Sequence, residues 1–266
     1  MARTFRQQIL IGTGITLFAA VLVATAPGMF RDIDRVLLRG EYRIRGETPV
    51  DSSIVILYLD NDAISSLGEL PLKRTYYASI VDVLRRNGAK AIGIDIAFTE
   101  PDLENPEYDD LFVAMVKRAG NVVLSTYFSS TSDVPTPAVS GVASFAYPGF
   151  AGQNFPYGLQ PSLPFGRLLA GSYGLGHTNY VDEITLPSCI ALAGPAGGEL
   201  LASFPFEVWR ASRGLPKEAV RFTSSGLRVK DGKKDFIIPC AGDGDIVINH
   251  AGGISSLRMY PLINAM

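Results

Sequence analysis

The hydrophobic pattern begins with one long apolar run, passes through a charged stretch, and then breaks into short segments at alternating helical and extended spacing. Ile9 to Ala26 is almost wholly apolar, and no charged residue stands between Arg6 and Arg31. As a helix this run reaches about 27 Å, which just spans a hydrocarbon core. Residues 31–53 are charged and punctuated by Gly40, Gly46 and Pro49, a pattern that predicts a juxtamembrane helix end and then a linker. Ile54 to Leu59 is a continuous apolar run closed by Asp60-Asn61-Asp62, which predicts a strand buried on both faces. Tyr77, Ile80, Val81 and Leu84 recur at helical spacing, and Gly88 stands where a C-terminal glycine is expected. Ala91 to Ile96 predicts a second strand. Tyr108, Leu111, Phe112, Met115, Val116 and Ala119 trace one face of a second helix that Gly120 stops, and Val122 to Tyr127 predicts a third strand. Right-handed crossovers between the three place them in one parallel sheet.

Ser129 to Gly171 is rich in Ser, Pro, Gly and aromatic residues and predicts irregular structure packed on the domain. Gly174 to Tyr180 and Thr185 to Ala193 are extended in pattern, and the Gly194 to Gly198 cluster turns the latter back onto Glu199 to Ala202 as a hairpin. Ser203 and Pro205 open a helix carrying Val208, Trp209 and Ser212, and Arg213-Gly214 end it. Short strands are expected around Val220, Leu227, Ile237 and Ile246, and a helix from Tyr260 to Met266. The fold class is therefore α/β. It has a mainly parallel central sheet flanked by helices, an added β-hairpin region and one preceding N-terminal transmembrane helix. The corresponding divisions are an anchor over 1–30, a linker over 31–53 and a folded domain over 54–266.

Charge and cysteine content narrow the function. The 24 Lys and Arg against 26 Asp and Glu give a net charge of −2, which offers no general attraction to nucleic acid phosphates. Arg3 and Arg6 ahead of the apolar run keep the N-terminus in the cytoplasm by the positive-inside rule and send the domain across the membrane. A cleaved signal peptide ending at Ala24-Thr25-Ala26 is the rival reading, against which Pro27 counts, and a buried soluble helix is the third. Cys189 and Cys240 do not make a disulfide framework, and buried thiols are the simpler expectation beside a single bridge.

Ligands of doubly wound sheets bind outside the carboxyl ends of the strands, where Asp60, Asp62 and Asp95 are expected, with Glu100 and Asp102 in the next loop. Converging carboxylates suit a divalent cation or a cationic or hydroxylated ligand. Equally, Asp60 and Asp62 suit a helix cap and Asp95 a loop hydrogen bond. Arg74 opens the first long helix, where an arginine is expected to be held by a carboxylate such as Asp60 or Asp95, or else to face solvent. His177 and His250 stand at no zinc spacing and read as structural. Gly171 to Gly176 lacks the strand-then-helix setting of a dinucleotide loop and reads as tight bends, and Asp243-Gly244-Asp245 as a hairpin turn rather than a calcium loop. No nucleophile elbow, phosphate loop, kinase triplet or His-Glu-x-x-His is present, so the chain is not expected to be an enzyme and no cofactor is implied.

The block IVILYLDNDAISSLGELPLKRTYYASIVDVLRRNGAKAIGIDIAFTEPD, residues 54–102, resembles the second type of CHASE domain, an extracellular sensory module of bacterial cyclases and kinases. NVVLSTYF, GLGHTNYVD, SFPFEVWRAS and GDGDIVINHAGG are similar to later blocks of that family in the same order, so the resemblance covers about residues 30–266. The chain departs from the family pattern at Leu70 and Leu72, at Asp182-Glu183-Ile184 and at Asn249-His250-Ala251-Gly252. The resemblance implies an extracytoplasmic signal-input domain in the plasma membrane, homodimeric, with an unidentified small ligand and no nucleic acid partner. It also implies a catalytic output beyond this chain. The candidate ligand contacts are Asp60, Asp62, Arg74 and Asp95, with His177, Asn179 and Asp182 behind them. Two alternatives are a membrane-tethered or secreted hydrolase that uses the carboxylates with a metal, and a ligand-free interaction subunit that uses the Phe145 to Phe165 aromatics as its contact surface.

Overall fold

A computed structural model describes residues 2–25, 27–68, 72–128, 141–148, 161–179, 189–191, 193–196, 199–223, 226–240 and 245–266. The chain divides into two compact units. The first comprises residues 1–54 together with 250–258. Its helices are α1 (Ala2–Thr25) and α2 (Pro27–Arg45). Within α1, Phe5–Thr25 is long and apolar enough to cross a membrane, and it is not buried within the protein. The linker expected over 31–53 is helical as far as Arg45, because Gly40 interrupts neither the hydrogen-bond ladder nor the apolar spacing of its neighbours. Gly46, at a φ of 74°, follows the helix end, and its N–H donates to the Tyr42 carbonyl. Arg45 donates to the His250 carbonyl and lies over the Tyr42 ring, while Tyr42 meets the His250 ring edge-on at 5.8 Å. The Thr48 N–H donates to the Ala251 carbonyl at 2.6 Å, closing residues 250–253 onto the end of α2.

The second unit holds residues 55–249 and 259–266. In chain order its first half contains β1 (Val55–Tyr58), α3 (Asn61–Leu67), α4 (Arg74–Arg86), β2 (Ile92–Ile94), α5 (Pro106–Ala119), β3 (Val122–Phe128), β4 (Pro161–Ser162), α6 (Gly166–Gly171) and β5 (Gly174–His177). Then come β6 (Cys189–Ala191), β7 (Ala193–Ala196), β8 (Glu199–Ala202), α7 (Phe204–Ser212), β9 (Val220–Thr223), β10 (Gly226–Asp231), β11 (Lys234–Pro239), β12 (Asp245–Val247) and β13 (Arg258–Pro261).

The central sheet runs β2-β3-β5, all parallel, with β4 antiparallel to the end of β3. Alternation along the strands gives the sheet two apolar faces. Ile92, Val122, Leu124 and Leu175 join the core cluster that contains Tyr77, Ile80 and Val81 of α4 and Phe112, Val113 and Val116 of α5. The opposite face carries Gly93, Gly174 and Gly176 beneath α7. A second cluster, with Tyr147, Phe206, Leu215, Leu227 and Val229, lies between α7 and the antiparallel sheet β9-β10-β11. Helix α7 is thus shared by both halves of the core.

Several expectations change. The strand at Val55–Tyr58 pairs with β13 instead of joining the parallel sheet, and Val55 and Tyr58 are exposed. An unbroken apolar run has the same composition at an edge as in a sheet centre, and here Leu57 and Leu59 alone supply the face that packs on the core. The expected hairpin forms one segment later. Strands β7 and β8 pair with Ala196 opposite Glu199, while β6 leaves for β12 with Cys189 opposite Val247. Gly194 to Ala196, expected as turn, are strand, paired with Glu199 to Leu201 of β8. Residues 258–261 are strand and only 262–265 are helical, as a short 3-10 turn. Most of the irregular stretch expected over 129–171, Asp182, the Asp243-Gly244 turn and the Cys189 side chain lie outside the described residues.

Candidate functional site

The carboxyl ends of β2, β3 and β5 form a rim reached by Asp95, His177 and Asn179, whereas Asp60 and Asp62 follow β1, outside that sheet. Asp60 is the N-cap of α3, its Oδ1 accepting the Ala63 N–H at 2.8 Å. That bond satisfies one of the helix's orphan donors and commits the carboxylate to a structural task. Asp62 lies exposed in the first turn of the same helix. Asp95 is exposed directly after β2.

Arg74 is held by neither Asp60 nor Asp95. Its Nε lies 3.3 Å from Oδ1 of Asp109, a fully buried carboxylate on α5. The other Asp109 oxygen accepts the Asp102 N–H at 2.7 Å, and the Arg74 guanidinium lies 4.4 Å from the Phe98 ring centroid and donates to the Glu100 carbonyl. Asp102 in turn accepts the N–H groups of Glu104 and Asn105. These residues lace the loop after β2 to the starts of α4 and α5. Sequence spacing missed Asp109 because an acid in the first turn of a helix is expected to face solvent.

His177 and Asn179 do come together, around the end of β3. His177 is fully buried in register with Thr126, its backbone bridges to Ser203 at the start of α7, and its imidazole meets the Phe128 ring edge-on at 5.7 Å. Burial holds its pKa down to about 3, so the ring is neutral at physiological pH. The Asn179 side chain clasps the Phe128 backbone, Oδ1 accepting the N–H at 2.8 Å and Nδ2 donating to the carbonyl at 2.9 Å. Both residues therefore shape the rim from beneath. Asp95 and the half-exposed Tyr127 are what it presents to solvent.

On the other side of the sheet lies a polar cluster that local sequence signals did not disclose. A Cβ on Gly176 would come within 2.5 Å of the Phe204 Cα, and one on Gly174 within 2.9 Å of the Glu207 carboxylate. These glycines serve close approach of α7 and not the bends expected of them. Glu207 and Arg210 of α7 are almost wholly buried, 2.8 Å apart at Oε2 and Nη2. Tyr147 donates its hydroxyl to the other Glu207 oxygen, and Arg210 donates to the Leu215 carbonyl at 2.7 Å and to the Tyr173 hydroxyl at 3.3 Å. Burial, then the adjacent Glu207 charge, pushes the Tyr147 hydroxyl far above its usual pKa. Burial alone would lower the Arg210 pKa, but the Glu207 hydrogen bond and charge overcome it and raise the value. An i, i+3 acid and base on a helix ordinarily mark a solvated face, so nothing in SFPFEVWRAS separates this pair from a surface one.

Among the described residues no three His, Cys, Asp or Glu side chains come together as a metal site, so Asp60, Asp62 and Asp95 do not converge as a cation site requires. Tyr147 and Phe165 of the aromatic stretch are core residues. No curated protein and no solved structure matches the chain. The family model described as the CHASE2 domain matches residues 15–265, nearly the whole chain. CHASE2 domains are extracellular sensory domains, typically of signalling proteins. A parallel α/β sheet behind one apolar helix agrees with the order of blocks in the sequence, and the chain belongs to the CHASE2 domain family.

Proposed function

We propose that this chain is the signal-input part of a membrane-bound bacterial signalling protein whose output is a nucleotide cyclase or a protein kinase. Helix α1 crosses the membrane with the N-terminus in the cytoplasm, and the domain faces outward. A small ligand is sensed at the rim formed by the carboxyl ends of β2, β3 and β5, where Asp95 and Tyr127 are exposed above the supporting His177 and Asn179. Ligand shifts the equilibrium between two arrangements of a homodimer, in proportion to its different affinity for each.

The observation that carries this reading is the family match over 15–265 coupled to an apolar helix at Phe5–Thr25. Arg3 and Arg6 favour a cytoplasmic N-terminus, while Arg31, Arg35, Arg39, Arg43 and Arg45 on the far flank oppose it by count. A folded body of more than two hundred residues translocates largely regardless of flanking charge, so the arginines after α1 do not hold it inside. Protease added to intact spheroplasts should digest everything beyond Phe30 while cytoplasmic markers survive. Digestion only after lysis would sink the outward-facing assignment.

A further inference from the structure

Helix α2 has two unlike faces. Tyr42 and Arg45 are engaged by His250, as described above. On the other side Ile33 is 47% exposed, Leu37 59% and Ile44 89%. These three and Gly40 fall at positions 33, 37, 40 and 44, alternating steps of four and three, and Phe30 continues the spacing in sequence. A repeat of this kind, averaging 3.5 residues, is the seam of a left-handed coiled coil, with Leu37 and Ile44 at one core position and Ile33 and Gly40 at the other.

Gly40 supplies an independent observation. Glycine is the poorest helix former after proline, yet a Cβ at this site meets nothing within 4 Å and its φ is not positive. Among the described residues nothing packs where its side chain would stand, so the seam is open at Gly40 to a second helix.

The two flanks of the seam differ in charge. Glu41 occupies one flank and Val36 and Arg43 the other. In a two-fold parallel pair, the flank carrying Arg43 faces the partner's Glu41 flank. In an antiparallel pair acid would face acid. A tether such as α1 in one bilayer also permits only the parallel arrangement and raises the effective concentration of the second copy.

We infer that the exposed face of α2 is a parallel dimer interface whose occupant is the α2 of a second copy of this chain, in register at Ile33, Leu37, Gly40 and Ile44. The inference rests on the membrane-anchored reading and adds to it the site and register of self-association.

The test uses the full chain in native membranes, with Cys189→Ser and Cys240→Ser as the parent and single cysteines introduced as Leu37→Cys, Ile44→Cys and Arg35→Cys. Mild oxidation should yield a covalent dimer at 37 and 44 and none at 35, and adding Gly40→Glu, a charge at a core position, should abolish the dimer at 37 while Trp209 emission stays unchanged. Equal cross-linking at all three positions, or none at 37 and 44, overturns the interface. A nitroxide at 37 and 44 with the oxygen accessibility of a lipid phase overturns it in favour of a membrane surface. Labelling of the 35 cysteine by an impermeant maleimide in intact cells reads the outward-facing assignment separately. Its absence removes that assignment without touching the cross-linking result.

Discussion

Replacing Glu207 with alanine is the most informative single perturbation of this domain. The change leaves the Arg210 guanidinium buried with only the Leu215 carbonyl and the Tyr173 hydroxyl as partners, and it strips the Tyr147 hydroxyl of its acceptor. Both side chains of the pair are 4% exposed or less, so solvent does little to screen the loss. Breaking one side of a buried ion pair costs about 3–5 kcal/mol, and a domain of this size loses about 2–4 °C per kcal/mol, so the midpoint should fall by about 6–20 °C. The double replacement Glu207→Leu with Arg210→Met removes both charges and leaves chiefly the Tyr147 hydroxyl unsatisfied, a loss of about 1–3 kcal/mol. It should therefore melt above either single variant. The chain's single tryptophan, Trp209, sits on α7 between these two residues, so its emission during thermal unfolding of the detergent-solubilised protein is a direct readout. A Glu207→Ala midpoint within about 3 °C of the parent, or a double variant no more stable than the singles, would refute a buried, mutually dependent pair.

Two further outcomes follow from the buried groups. His177 has a folded pKa near 3 against an ordinary 6.5, so its contribution is complete above pH 6.5 and is lost as pH falls towards 3. The loss runs at up to about 1.4 kcal/mol per pH unit, and His177→Gln should flatten stability between pH 6 and 4 by about one proton in urea titrations at stepped pH. Arg74→Ala leaves the Asp109 carboxylate buried with only the Asp102 N–H, at a cost of about 3 kcal/mol, whereas Asp60→Ala loses one cap bond worth about 1 kcal/mol. Thermal midpoints should rank the two in that order.

The helices α4 and α5 were legible because their apolar spacing is helical and Gly88 and Gly120 stand just beyond their ends, both at positive φ. The parallel strands β2, β3 and β5 were legible as apolar or extended runs between them. What escaped depends on partners distant in sequence. β1 finds β13 some two hundred residues on, and no local feature of IVILYL announces that pairing. The Gly174-Leu175-Gly176 alternation was visible, but its meaning depends on α7, which presses Phe204 against it. Asp109, Glu207 and Arg210 looked like ordinary helix-surface charges, because burial is decided by the surfaces that close over them. The arginines and apolar residues of α2 were equally plain, yet Gly40, Gly46 and Pro49 suggested a linker. A single glycine weakens a helix without ending it when its neighbours keep the spacing.

The bare glycine backbone under α7 also constrains how the helix can move. A helix seated on side chains has cushions that compress and rotamers that swing, and it slides at modest cost. Here Phe204 rests against strand backbone at Gly176, and Val208 fits where Gly93 has no side chain. Lateral displacement would drive main chain into main chain. Helix and sheet are geared together and move as one stiff plate.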